Sequence, residues 1–166
     1  MSDQCRRTPP WLLREIETRI IGSKFVLDAA ASKANAVCKK FYDERQDGLK
    51  QEWRHGPIWV NPPFKQMGDW VKKAYSEARK YNVVICLVGP VGATQNWYYN
   101  YVRFGTIFVP NARIVYYDSQ TGKPTHGADR DSCIYVVGPG FWTTGKFFKC
   151  VPFDISGMVV TVRVKT

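Results

Sequence analysis

At 166 residues, with 45% hydrophobic and 23% charged residues, the chain has the composition of one globular domain and lies far from the disordered and collagen-like classes. Lysine and arginine number 24 against 14 acids, a formal net charge of +10, which suits a polyanionic partner, nucleic acid first, and on charge alone equally suits a basic surface that serves solubility. No apolar run reaches the ~18 residues of a membrane helix and MSDQCRRTPP lacks a signal peptide's apolar stretch, so no membrane association and a cytoplasmic location are expected.

Thr8-Pro9-Pro10 before WLLREIETRI reads as a helix start, with Thr8 as cap and Pro9 in the first helical position. Leu12, Leu13, Ile16 and Ile20 share its apolar face, and Gly22 ends it. Phe25 to Leu27 reads as a short strand that meets Asp28 and three alanines where a strand would turn into a helix. Residues 39–57 are polar, with a turn at Asp47-Gly48. PIWV is a second short strand and runs directly into Asn61-Pro62-Pro63-Phe64. Met67, Trp70, Val71, Ala74, Ala78 and Tyr81 recur at helical spacing, which predicts a helix from about Gln66 to Lys80. Val83 to Val88 is a continuous apolar run, as in a strand covered on both faces. This alternation indicates an α/β sheet with mainly parallel strands, which places ligands at the strands' carboxyl ends. Both LDAAAS and NPPF fall at such ends.

After Gly89, TQNWYYNYV reads as a short helix, and TIFV, ARIVYY and SCIYVV as three strands whose short links predict antiparallel pairing. KFFKCVPF and GMVVTVRVK, joined by Asp154 to Gly157, read as a hairpin with one basic face, about residues 145–166, inside a single domain that takes in the whole of 1–166. The odd set Cys5, Cys38, Cys86, Cys133 and Cys150 has no metal-ligand spacing and predicts reduced thiols. His55 and His126 lack ligand partners at suitable spacing, so no metal is expected.

The segment that carries chemistry is Asn61-Pro62-Pro63-Phe64. A side-chain oxygen on Asn61 and the rigidly held carbonyl of Pro62 suit the two hydrogens of an amine conjugated to an aromatic ring. Such an amine is a poor nucleophile until its lone pair is localised. Pro63 stiffens the loop and Phe64 offers a face on which a base can stack. A base held there must be flipped from the duplex or presented single-stranded. A proline-stiffened turn without chemistry is the competing reading of the tetrapeptide alone.

Taken in order, TPPWLLREIE, FVLDAAAS, the DGLKQEW segment, IWVNPPF, VVICLVGP and NARIVYY resemble the phage-type DNA adenine methyltransferases. These are small enzymes of the class I S-adenosylmethionine-dependent fold. The resemblance implies a compact Rossmann-like sheet, S-adenosylmethionine as cofactor, DNA as partner, and the host cytoplasm as location. It makes Asn61, Pro62, Pro63 and Phe64 the catalytic tetrapeptide, with Asn61 and Pro62 on the target amine and Phe64 on adenine. Asp28, Ala29 and Ala30 would adjoin the methionine part of the cofactor, together with Thr8, Pro9 and Asn61. Asp47 would face its adenine or ribose, with Asp43 as the rival position. The loop departs from the glycine-rich form common in the wider superfamily, and the short stretch from Asp28 to Asn61 implies an abbreviated region of the fold.

Little of the chain is left to recognise a target, so recognition is expected to be short or relaxed. Asn96, Trp97 and Tyr98 are candidates for wedging or stacking, although aromatics such as Trp97 and Tyr98 read more readily as core residues of a short helix. Arg103, Lys123, Arg130, Lys146, Lys149, Arg163 and Lys165 are candidate phosphate contacts. The alternatives are methylation of another planar amine (cytosine N4, an RNA base or a protein glutamine) and a nucleic-acid-binding module with a decayed cofactor site. Monomer and weak dimer both remain open.

Overall fold

The structure, a computed structural model, describes residues 6–125 and 131–156. In chain order the elements are β1 (Arg6–Arg7), α1 (Pro10–Glu15) continued by a π-helical stretch Ile16–Ile21, β2 (Leu27–Asp28), β3 (Ile58–Val60), α2 (Met67–Tyr81) and β4 (Ile85–Pro90). They continue with α3 (Asn96–Asn100), β5 (Thr106–Pro110), β6 (Tyr117–Asp118), β7 (Ser132–Val137) and β8 (Lys149–Phe153). Six strands form one sheet in the order β2-β3-β4-β7-β5-β8, in which β7 alone runs against the others. The expected mixed sheet, mainly parallel with antiparallel pairing toward the C-terminus, is present.

Alternation along the strands divides the core into two layers. Ile58, Val60, Ile85 and Leu87 face α2, joined by Trp70, Val71 and Ala74. Trp59, Cys86 and Val88 point the other way and meet Leu12 and Ile16 of the first helix. Burying both faces is what the unbroken apolar runs of β4 and β7 require. The first helix ends as expected at Gly22, whose φ of 76° places it in the left-handed region.

Three expectations are corrected. Pro9, not Thr8, caps the first helix and Pro10 takes the first helical position, with no side-chain cap bond. The alanines after Asp28 do not begin a helix. The Asp28 carboxylate instead accepts from the backbone N–H of Ala30 (3.3 Å) and of Val37 (3.1 Å), which captures donors that a first helical turn would leave free and folds 29–37 into a loop. ARIVYY adds no strand to the main sheet, because β5 already has β7 on one side and β8 on the other. Its end pairs with β1 through β6, while Ile114 and Tyr116 anchor it in the second layer. At the edge of the sheet, β8 pairs with β5 in parallel. The second arm of the expected hairpin, GMVVTVRVK, lies outside the described residues.

Candidate active site

The parallel strands β2 and β3 deliver their loops to the same end of the sheet. The Ala29 N–H bonds back to the Trp59 carbonyl at 2.9 Å, so the two loops leave the sheet side by side. A polar segment then returns beside the first loop: Asp28 exchanges backbone bonds with Lys40 and Tyr42, and the Ala31 N–H reaches the Tyr42 carbonyl at 3.0 Å. Between these segments lies a cavity of about 540 Å³, lined by Ala29, Ala30, Asp43, Asp47, Asn61 and Trp70 among others.

The cavity wall is close-packed where Gly48 meets Ala29, since a Cβ on Gly48 would lie 2.0 Å from the Ala29 carbonyl oxygen. The positive φ falls one residue earlier, on Asp47 (54°), whose carboxylate accepts from the Leu49 N–H at 3.2 Å and pairs with Lys50 at 3.0 Å. Asp43 takes the backbone N–H groups of Arg45 and Gln46, each at 3.1 Å. Both of the rival acids therefore reach the cavity.

Asp28 does not line it. At 2% exposure the side chain sits beneath the loop, and burial pushes its carboxyl up to about 6 against the lowering effect of the two N–H bonds. Thr8 is likewise buried, and its hydroxyl accepts from Asn61 Nδ2 at 3.2 Å. Pro9, next to it, is buried as the cap of the first helix. The link between Thr8 and Asn61 joins positions far apart in the chain and was invisible in the sequence.

On its other side Asn61 borders a second, small recess of about 20 Å³, formed with Arg6, Pro62, Phe64 and Tyr116. Pro63 lines the large cavity instead. Asn61 thus stands at the junction of the two spaces. The tetrapeptide reaches this position because β3 ends at Val60 and a single 3-10 turn, Phe64–Gln66, leads into α2.

A sequence model of the family described as DNA N-6-adenine-methyltransferase (Dam) matches residues 2–146. The chain belongs to this family. Among curated relatives, a DNA N-6-adenine-methyltransferase of Escherichia phage T1 is 29% identical over 147 residues, covering 78% of this chain and 60% of that protein. One from Haemophilus phage HP1 is 24% identical over 140 residues, covering 83% and 81% respectively.

Glu77 supports the site and was not singled out from sequence. Buried on α2, it accepts from the Trp53 N–H at 2.7 Å and pairs with Lys73 at 2.9 Å. Trp53 in turn donates its indole N–H to the Gly48 carbonyl at 2.9 Å and stacks on Trp70 with ring centroids 6.1 Å apart. A carboxylate on the same stripe as Trp70 and Ala74 was the available signal.

The residues proposed for nucleic-acid contact do not form one group. Trp97 and Tyr98 turn inward: Tyr98 is 6% exposed and meets Tyr135 edge-on, while the Trp97 ring packs on Gly68 and Gly92. Tyr98 thus belongs to the core and Trp97 is half-buried against it. Asn96 stays exposed. Arg103 is half-buried with its guanidinium 4.2 Å above the Tyr99 ring, and Lys123 is exposed just after β6. Lys146 and Lys149 are exposed around Phe147, an aromatic that is 84% exposed. His126, Arg130, Arg163 and Lys165 lie outside the described residues. His55 is exposed, and among the described residues no cluster of His, Cys, Asp or Glu is placed to hold a metal ion. No described helix is long and apolar enough to cross a membrane.

Proposed function

We propose that this chain transfers a methyl group from S-adenosylmethionine to N6 of adenine in DNA, as one domain working in the host cytoplasm. The observation that carries the reading is the position of Asn61, shared by a cofactor-sized cavity and by the recess that Pro62 and Phe64 help to form. The family's relatives, named for this reaction, point the same way.

The cavity fits the cofactor on three counts. Its volume falls in the usual range for small-molecule sites, about 300–1,000 Å³. Its lining joins apolar Ala29, Ala30 and Leu49 to the carboxylates of Asp43 and Asp47, acceptors suited to ribose hydroxyls or an adenine amine. Trp70, also in the lining, carries a buried indole N–H without a partner among the described residues. When bound, S-adenosylmethionine supplies an electrophilic methyl group on a sulfonium.

The remaining work belongs to the chain. Thr8 is a positioning residue: with Asn61 Nδ2 donated to its hydroxyl, Oδ1 is the end of the amide available to accept an amine hydrogen. Pro62 offers its carbonyl for the other hydrogen, and Phe64 stacks on the base. Together they localise the amine's lone pair toward the methyl carbon and stabilise the charge that develops on nitrogen. Transfer is direct, with no covalent enzyme intermediate. We read the fold as a shortened Rossmann-like class I methyltransferase fold, in which the single parallel bridge from Asp28 to Phe41 occupies the place of a fuller strand-helix unit.

Incubating the protein with unmethylated DNA and S-adenosylmethionine, followed by base-resolved sequencing, tests the reading. N6-methyladenine is expected. Methylation confined to cytosine would move the target to another amine, and failure to bind S-adenosylmethionine in calorimetry would leave a nucleic-acid-binding module.

A further inference from the structure

We infer that the outward strip of α2 and the turn after α3 form a docking face for the phosphate backbone of the duplex beside the target, with Arg79 and Arg103 as its anchors. The inference rests on the DNA methylation proposed above and adds the surface that holds the duplex outside the reacting junction.

Lys72, Tyr75 and Arg79 follow one another at spacings of three and four, so they share one strip of α2. Lys72 and Arg79 are exposed. The acids of this helix lie off the strip: Glu77 is buried against Trp53, and Asp69 stands on the first turn, about a quarter of the way around. The 3-10 turn Val102–Phe104 brings Arg103 to the same face, because Phe104 packs on Tyr75 with ring centroids 5.7 Å apart. Thr143 ties the turn down. Its N–H reaches the Phe104 carbonyl at 2.8 Å, and its hydroxyl donates to the Arg103 carbonyl at 2.6 Å.

Both guanidiniums are held by rings and not by acids. That of Arg103 lies 4.2 Å from the Tyr99 ring centroid and 4.7 Å from that of Phe104. That of Arg79 lies 5.6 Å from the Tyr75 centroid and 5.8 Å from that of Trp142, and it donates to the Tyr75 hydroxyl at 3.5 Å. Among the described residues neither arginine forms an ion pair, and Arg103 Nε is buried without a hydrogen-bond partner. Stacking fixes the plane of a guanidinium and leaves its edge N–H groups to a ligand, a fork that meets two phosphate oxygens at once.

Charge selects the occupant. Cations gathered on one face without an acid repel one another until an anion joins them. A second copy would bring another chain of net charge +10 against this face, whereas duplex DNA offers one phosphate for every ~1.7 Å of its axis. The face is also continuous with the site. α2 begins one 3-10 turn after the Asn61 tetrapeptide, and Trp97 of α3 packs on Gly68 at its start. From Met67 to Arg79 the helix rises about 18 Å, a length that a duplex covers in roughly five base pairs.

The test uses the whole chain carrying Arg79→Gln with Arg103→Gln, the same pair changed to lysine, and Lys72→Gln alone. Affinity for an unmethylated duplex oligonucleotide is measured by fluorescence anisotropy across a salt series, S-adenosylmethionine affinity by calorimetry without DNA, and self-association by sedimentation velocity. The glutamine pair is expected to weaken duplex binding roughly tenfold or more. It should flatten the dependence of log affinity on log salt by about two units, with S-adenosylmethionine affinity within about twofold of wild type. The lysine pair should keep the slope and recover only part of the affinity, because lysine lacks the fork. Lys72→Gln should flatten the slope by about one unit, and its exposed side chain supports no ring, which keeps the test open if the glutamine pair fails to fold by circular dichroism. An unchanged slope in the folded variants would overturn the inference, and loss of self-association with that unchanged slope would make the face a contact between copies. A wild-type protein that binds the duplex and yields no N6-methyldeoxyadenosine, with variants that flatten the slope, would uphold the face and defeat the functional reading alone.

Discussion

The loops that follow β2 and β3 and the edge built by α3 and β8 are made on opposite plans. In the first, polar groups are committed to one another: Asp28 to two backbone N–H groups, Thr8 to Asn61, Glu77 to Trp53, and Trp53 to Gly48. In the second, Phe147 and Phe148 are exposed between the exposed lysines Lys146 and Lys149, and Tyr99 is exposed on α3. A site that must hold an amine within a fraction of an ångström needs the first plan. A surface that meets a repetitive polyanion, whose phosphates recur whatever the sequence, is served by the second.

The largest effects should come from the committed region. Asn61→Ala is expected to lower turnover ~100-fold or more, the typical loss for a donor or acceptor that acts in the transition state. Its S-adenosylmethionine affinity should stay within a few-fold, because the proposed Oδ1 contact is with the target amine. Steady-state rates with calorimetry read both, and near-normal turnover would remove Asn61 from the chemistry. Ala30→Trp should abolish S-adenosylmethionine binding by filling the cavity while duplex affinity survives. Normal binding of the cofactor by that variant would take the loop after β2 out of the cofactor site.

Asp28 gives the comparison a pH signature. Its folded-state value of about 6 lies above the ordinary 3.8, so the folded protein binds the proton more tightly than the unfolded chain. That contribution is fully present below about pH 4 and is lost as pH rises through about 6, a difference of about 3 kcal/mol. Asp28→Asn should remove this slope from urea unfolding curves recorded between pH 4 and 7. It should also lower overall stability, since an amide has one oxygen to offer where the carboxylate serves two N–H groups. An unchanged slope in the variant would assign the titration elsewhere.

What could be read in the sequence was what depends on local pattern. The helical recurrence from Met67 to Tyr81 and the apolar runs of β4 and β7 are strong periodic signals, and they fix the register that carries Asn61 to the end of β3. What could not be read depends on competition between distant parts. ARIVYY has a strand's composition, yet both sides of β5 are taken by other strands. The alanines after Asp28 favour a helix, yet the buried carboxylate captures the N–H groups. Thr8 caps helices well, but its hydroxyl is drawn to Asn61, a partner no local window contains. Tyr98 read more readily as core than as a wedge, but the face it packs on, Tyr135, lies outside any local window.

The smallest effect belongs to the exposed edge. Replacing Lys146 and Lys149 with glutamine should weaken duplex binding evenly across sequences and flatten the salt slope by roughly one unit per phosphate contact removed, with no change in site preference. An unchanged slope and affinity in an anisotropy titration would make the edge scaffold and leave DNA contact to the neighbourhood of Asn96 and Lys123.

The central claim is that the junction at Asn61 methylates an adenine amine. The most direct measurement is nucleoside mass spectrometry on DNA digested after incubation with S-adenosylmethionine and the wild-type or Asn61→Ala protein. The account predicts N6-methyldeoxyadenosine from the wild type and a hundredfold less or none from a variant that still binds S-adenosylmethionine. Equal yields from the two proteins, or N4-methyldeoxycytidine as the sole product, would contradict it.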